Sequence, residues 1–184
     1  MGPAALLDAC ALYPVGLRDT LLSVAQAHAF RPLWSAEILE EVRGAILRSV
    51  PGADPARIDQ MLGHMRAAFP DAMLVGHSHL IPKMTNDLAD RHVLAAAVTG
   101  HADVIVTWNV RHFPRSACRP HGIAVETPDE FLVRMYVSDP GAVEAALVRQ
   151  VARYISPPMT VEDLLARHAL RLPRFVAAVR AHRS

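Results

Sequence analysis

The chain has 184 residues, 52% of them hydrophobic and 20% charged, and its formal net charge is +1. That length allows one domain with its own core, or one domain with a small appendage, and the composition excludes a disordered chain. The near-zero net charge argues against a strong global attraction to nucleic acid.

No apolar run approaches the roughly 20 residues of a membrane span. No basic segment followed by an apolar one marks a secretory leader, so a cytoplasmic protein without membrane association is expected. Cys10 and Cys118 are far apart with no metal-like spacing, and read as two separate thiols in a reducing compartment.

Residues 4–10 form a short apolar run that reads as a buried strand ending at an acid, Asp8. Pro14 opens a helix to about residue 28, with Leu17, Leu21, Leu22 and Ala25 at helical spacing. Residues 31–34 are extended. Ser35 then caps a helix to about residue 49, whose stripe is Ile38, Val42, Ala45, Ile46 and Ser49. Asp54-Pro55 starts the next helix, with Asp as cap and Pro at the first helical position, and Pro70 ends it. Residues 72–75 read as a strand and 76–85 as irregular. Asn86 or Asp87 caps a helix with the stripe Asp90, Val93, Leu94, Ala97 and Val98, which Gly100 stops. Residues 103–107 are a continuous apolar strand of the parallel, doubly buried type. Residues 122–126 form a further strand, and Pro128 begins a helix to about residue 136.

Strands alternating with helices predict an α/β domain with a parallel sheet over residues 1–137. From Asp139 onward only helices are expected, opened by Asp139-Pro140, by the box-like Thr160-x-x-Asp163, and by Pro173. Val143, Leu147, Val151, Leu164, Leu165, Phe175 and Val176 recur at helical spacing there and need a partner surface. Residues 138–184 are therefore read as a helical C-terminal extension packed on the core.

Four side chains stand out chemically. Asp8 follows the first strand, and in open parallel sheets ligands bind beyond the carboxyl ends of the strands. It either serves a metal or substrate, or caps the next element. Glu37, Glu40 and Glu41 share one helix. Glu40 faces solvent, Glu41 lies at the border of the buried stripe and can lean over the sheet edge, and Glu37 sits one turn earlier and further out. Asp90 falls inside an apolar stripe, where a carboxylate is costly unless paired or bound to a cation. Its first-turn position also suits a negative charge. Asp87, one turn earlier, takes the capping role, leaving Asp90 for the site. Asn109 follows the strand at 103–107 and either orients a water or phosphate or turns the chain. Asp8, Glu41 and Asp90 are expected to meet in one oxygen-rich pocket, which suits Mg²⁺ or Mn²⁺. Such an ion binds phosphate oxygens and activates water for in-line attack on a phosphodiester.

The order of these pieces resembles the PIN-domain nucleases, and more closely a branch longer than the short VapC toxins. Leu6-Leu7-Asp8-Ala9-Cys10 is similar to the family's first strand and acid. Trp34-Ser35 to Glu41-Val42 is similar to the segment with the second acid, here Glu41. Asp87-Leu88-Ala89-Asp90-Arg91-His92-Val93 is similar to the stretch with the third acid, here Asp90. Ala102 to Asn109, followed by His112-Phe113-Pro114, is similar to the last active-site strand and loop. The resemblance covers most of residues 4–137. It implies a Rossmann-type α/β/α sandwich and Mg²⁺- or Mn²⁺-dependent cleavage of RNA. It also implies a toxin held silent by a cognate antitoxin, and a tendency to form a homodimer. The implied catalytic set is Asp8, Glu41, Asp90 and Asn109, with the three acids as metal ligands. Asn109 and His112 stand where acids are common in the family, which favours one bound ion over two.

Arg91, Arg111, His112 and Arg115 flank the acids and are candidates to hold RNA phosphates; solvated surface charge is the plainer reading. The tail residues Arg167, His168, Arg171, Arg174, Arg180, His182 and Arg183 form either a basic patch or an exposed helix face. His77 and His79 are expected in an exposed loop. Two rival readings remain: a degenerate PIN domain that binds a partner or RNA without cleavage, which Asn109 favours, and a housekeeping RNA-processing nuclease without an antitoxin.

Overall fold

The computed structural model describes residues 2–183. A five-stranded parallel sheet with the order β3-β2-β1-β4-β5 occupies its centre. The strands are β1 (Ala4–Leu7), β2 (Arg31–Ser35), β3 (Met73–Leu74), β4 (Val104–Val106) and β5 (Ala124–Glu126). All four residues of β1 are buried, with Leu6 opposite Leu33 of β2 and Ile105 of β4. Burial on both faces is why this strand shows no polar–apolar alternation.

Among the described residues seven α-helices flank the sheet: α1 (Ala9–Leu12), α2 (Val15–Gln26), α3 (Ala36–Ser49), α4 (Pro55–Ala68), α5 (Arg91–Thr99), α6 (Arg115–Cys118) and α7 (Pro128–Ser138). Three more follow: α8 (Pro140–Val151), α9 (Val161–His168) and α10 (Pro173–Arg183). The architecture is the expected α/β sandwich followed by helices. None of the described helices is long and apolar enough to cross a membrane.

Several element boundaries differ from the sequence reading, each for a local reason. The first strand stops at Leu7, and Cys10 is helical, because Asp8 accepts the Ala9 N–H at 2.6 Å and opens α1. Residues 31–35, read only as extended, are an inner strand despite Pro32. The Arg31 N–H points to β1, bonding to Pro3, so the missing N–H of Pro32 faces the β3 side. There β3 pairs only from Trp34 onward, and no ladder bond is lost. The strand expected at 122–126 begins at Ala124, because Gly122 takes φ +70 to end a 3₁₀ turn. Gly100 does end α5, at φ −80; the left-handed residue is His101. Gly100 is needed for space, since a Cβ there would lie 2.7 Å from the Leu74 side chain.

The C-terminal helices share the core. α8 lies along α2, and α10 lies along α7. Val143, Leu147, Leu164, Leu165, Phe175 and Val176 are buried, and Val151 is half-buried. The Asp129 carboxylate accepts the N–H groups of Arg174 and Phe175 at 3.2 and 2.9 Å, satisfying the free donors of the α10 N-terminus. Tyr136 and Phe175 meet edge to face, with ring centroids 6.3 Å apart.

Candidate active site

Asp8 lies just past β1, at the carboxyl edge of the central strand, and is 3% exposed. Its Oδ1 accepts the Ala9 N–H, and its Oδ2 accepts the Thr107 hydroxyl at 2.6 Å and the Cys10 thiol at 3.1 Å. Thr107 follows β4 and is itself held, accepting the Asn109 N–H at 2.9 Å. Burial raises the Asp8 pKa above 3.8; the bonds from Thr107 and Cys10 oppose this, and the charge of Asp90 adds to it. No described cationic side chain forms an ion pair with Asp8.

Asp90 closes a 3₁₀ turn, Leu88–Asp90, and immediately precedes α5. It is therefore one step earlier than the first-turn position read from the stripe. Asp87 caps that turn by accepting the Ala89 N–H at 3.1 Å, which leaves the Asp90 side chain free of capping work. His112 Nδ1 lies 2.7 Å from Asp90 Oδ2, and the Asp87 N–H donates to the His112 carbonyl. The ligand atoms of Asp87, Asp90 and His112 lie within 4.8 Å of one another.

Glu41 is exposed on α3 and lies 3.1 Å from His92 Nε2. The Glu41 carboxylate holds the His92 pKa above 6.5 against the opposing effect of burial, with a smaller contribution from Asp90. His92 thus touches Glu41 directly and feels Asp90 only weakly, and Glu41 is not part of the group formed by Asp87, Asp90 and His112. His77, expected in an exposed loop, is 3% exposed, with Nε2 3.4 Å from Glu37. A loop position alone gave no sign of this; the packing of the 3₁₀ turn Ser78–Lys83 against α5 buries it.

Among the basic candidates, Arg91 folds back, its Nε donating to the Asn86 carbonyl at 3.4 Å, and His112 is engaged with Asp90. Arg111 and Arg115 are exposed. His168 is no part of a basic surface: it is 6% exposed, its Nε2 lies 2.9 Å from the Thr20 hydroxyl, and burial pushes its pKa below 6.5. Sequence reasoning missed His92 and Thr107 as members of the cluster. The signal for His92 was its place two residues after Asp90 on the same turn; Thr107 was visible only as a polar residue ending an apolar strand.

The family model of the PIN domain matches residues 4–111, and that of the VapC50 C-terminal domain matches residues 128–181. VapC50 of Mycobacterium tuberculosis, provisionally named a ribonuclease, is 41% identical over 109 residues. That alignment covers 59% of this chain and 64% of the relative's length. No solved structure matches. With more than half its length matched by the PIN-domain model and a parallel sheet flanked by helices, the chain belongs to the PIN-domain family.

Proposed function

We propose that this protein is a divalent-metal-dependent endoribonuclease, the toxin of a toxin–antitoxin pair, acting in the cytoplasm. The observation that carries the reading is the cluster of Asp87, Asp90 and His112, whose ligand atoms lie within 4.8 Å of one another, with the buried Asp8 carboxylate feeling the charge of Asp90. Two neighbouring carboxylates in a low-dielectric setting are tolerable when a cation sits between them. The donors are mainly carboxylate oxygens with one imidazole, a set that fits Mg²⁺ or Mn²⁺. Asp90, with Asp87 and His112 beside it, would hold the ion, and Asp8 and Glu41, named with Asp90 as ligands by the family resemblance, would complete the shell. When bound, such an ion polarises a phosphodiester oxygen and makes water a better nucleophile.

The chain's own residues prepare that site. Thr107 and the Ala9 N–H orient the two oxygens of Asp8. His112 orients Asp90 from the turn Val110–His112. Asn109, whose backbone is pinned by Thr107, would direct its amide to a phosphate or water. Residues 1–137 form the nuclease unit in this reading. Residues 138–184 form the helical extension, supported by their contacts with α2 and α7. The partners are the RNA substrate, a cognate antitoxin and a second copy of the chain. The relative's ribonuclease name supports the activity. Asn109 in place of an acid favours, as the second reading, a domain that binds RNA or a partner without cleaving.

The test is cleavage of a structured RNA by the purified protein in Mn²⁺ or Mg²⁺, with EDTA as control. Asp90→Asn should lower the rate at least about a hundredfold while melting cooperatively, since even indirect support of a metal is worth 10–100-fold. Cleavage that persists in EDTA, or in folded Asp90→Asn, rejects the metal-nuclease reading. Growth arrest on expression, relieved by co-expressing an adjacent small gene, tests the toxin role.

A further inference from the structure

Asn86 stands just before the turn that carries Asp87 and Asp90, and it is 4% exposed. Its neighbours there are more open: Asp87 is exposed, and Asp90, Arg91 and His112 are half-buried. The Asn86 Nδ2 donates to the Asp90 backbone carbonyl at 3.0 Å, and the Asn86 carbonyl accepts from Arg91 Nε at 3.4 Å. The partner fixes the orientation of the amide, because a carbonyl only accepts and the NH₂ end must face it. The other end, Oδ1, is buried with no hydrogen-bond partner among the described residues. A buried acceptor without a partner is costly. An apolar side chain of similar size would avoid that cost, but it could not hold the Asp90 carbonyl.

Asp90 is held at three points. Its N–H donates to the Asp87 carbonyl at 3.0 Å, its carbonyl accepts from Asn86, and its Oδ2 lies 2.7 Å from His112 Nδ1. The Asp87 N–H donates in turn to the His112 carbonyl at 3.1 Å. These bonds close a ring through the three residues whose ligand atoms lie within 4.8 Å of one another. Asp90 itself is outside α5, at φ −105 and ψ 9. A residue there takes its direction from local bonds of this kind more than from the repeating ladder of the helix.

We propose that Asn86 is a positioning residue, which through the Asp90 carbonyl fixes where the Asp90 carboxylate points and so sets the affinity of the cluster for a divalent cation. The inference rests on the metal-nuclease reading for the nature of the ligand. Groups that orient a metal ligand from behind govern affinity, and losing one typically costs about 10–100-fold. The competing role is a residue that only stabilises the turn.

The experiment is titration of the full chain with Mn²⁺, the free ion read by electron paramagnetic resonance. Beside it run a melting curve in EDTA and cleavage of a structured RNA over a Mn²⁺ series. Asn86→Leu removes the donor and the unpaired acceptor together. It should melt close to wild type, since the two losses oppose each other, yet bind Mn²⁺ about 10–100-fold more weakly. The Mn²⁺ concentration for half-maximal cleavage should rise by the same factor. The rate at saturating Mn²⁺ should stay near wild type, because Asn86 touches no reacting atom. If Asn86→Leu does not fold, Asn86→Ser, whose hydroxyl is one bond nearer the backbone, carries the same expectation. Unchanged Mn²⁺ affinity in a folded variant overturns the proposal. So does affinity that falls only with a matching fall in melting temperature, a saturating rate as low as that of Asp90→Asn, or failure of both variants to fold. The two ideas fail separately. Mn²⁺ binding that depends on Asn86, in a wild type that cleaves no RNA, rejects the nuclease and keeps the positioning role. Metal-dependent cleavage with Mn²⁺ affinity indifferent to Asn86 does the reverse.

Discussion

Asp8 shows how one side chain can serve a site at the expense of the fold. Its raised pKa means that the folded chain disfavours its charged form, chiefly through burial and then through Asp90. This term is absent below the unfolded value near 3.8, grows as pH rises towards the folded pKa, and is fully present above it. In EDTA at pH 7, Asp8→Asn should therefore melt above wild type. The gap should close as pH falls towards 4, and Mn²⁺ should raise the wild-type melting point but not the variant's. A variant that melts below wild type at pH 7 and stays there at pH 4 would show that Asp8 is a structural cap only. Cys10 shares this environment. Burial, with the Asp8 charge, pushes its thiol up to about 12, so at pH 8 about one molecule in ten thousand carries the thiolate. Native iodoacetamide treatment followed by mass spectrometry should label Cys10 much more slowly than after denaturation; equally rapid labelling in the native chain would contradict its raised pKa. Of these residues, Asp8 and Asp90 were legible because each breaks an apolar pattern. His77 and His92 were not, because an imidazole in a loop or on a helix carries no mark of what will pack over it.

At the scale of elements, the caps were the most readable features. Ser35, Asp54, Asp139 and the Thr160–Asp163 box each open the helix expected of them, since a cap depends on a few neighbouring residues only. Strand β2 was less readable because Pro32 is acceptable only given where β3 begins. The docking of α9 depends on a distant partner in the same way. His168 is buried against the Thr20 hydroxyl, which also donates to Gln150 Oε1 at 3.0 Å. Its folded pKa lies below 6.5, so the neutral form is the one that packs. The stability it contributes is present above about pH 6.5 and is lost as pH falls from there towards the folded value. The melting temperature of wild type should accordingly drop between pH 6.5 and 5 by more than that of His168→Gln. Equal pH slopes in the two proteins would mean that this imidazole is protonated in place without disturbing α9.

Across the whole molecule, the C-terminal helices belong to the same apolar core as the sheet domain. Phe175 is fully buried, packs on Tyr136 of α7, and sits at the α10 turn capped by Asp129. Removing a buried aromatic side chain of this kind costs about 3–5 kcal/mol, so Phe175→Ala should lower the single melting transition of the entire chain. Two separated transitions, with only the smaller one shifted, would show instead that residues 138–184 melt as an independent unit. The parallel α/β plan was legible from the alternation of apolar runs and capped helices. The orientation of α8 against α2 and of α10 against α7 was not, because amphipathic helices announce a buried face but not the surface that buries it.

The sequence by itself determined the α/β class, the helix starts, the helical tail, and the choice of Asp8 and Asp90 as acids out of place in apolar surroundings. Those properties depend on residues a few positions apart, where spacing, caps and patterning act. Only the tertiary structure decided that Asp8 is buried against Thr107, that Glu41 contacts His92, and that His112 seats against Asp90. It also decided that His168 is a buried packing residue. Each of these joins side chains from elements separated in sequence by tens of residues, so the energies involved arise when the sheet order brings strand ends together and excludes water between them.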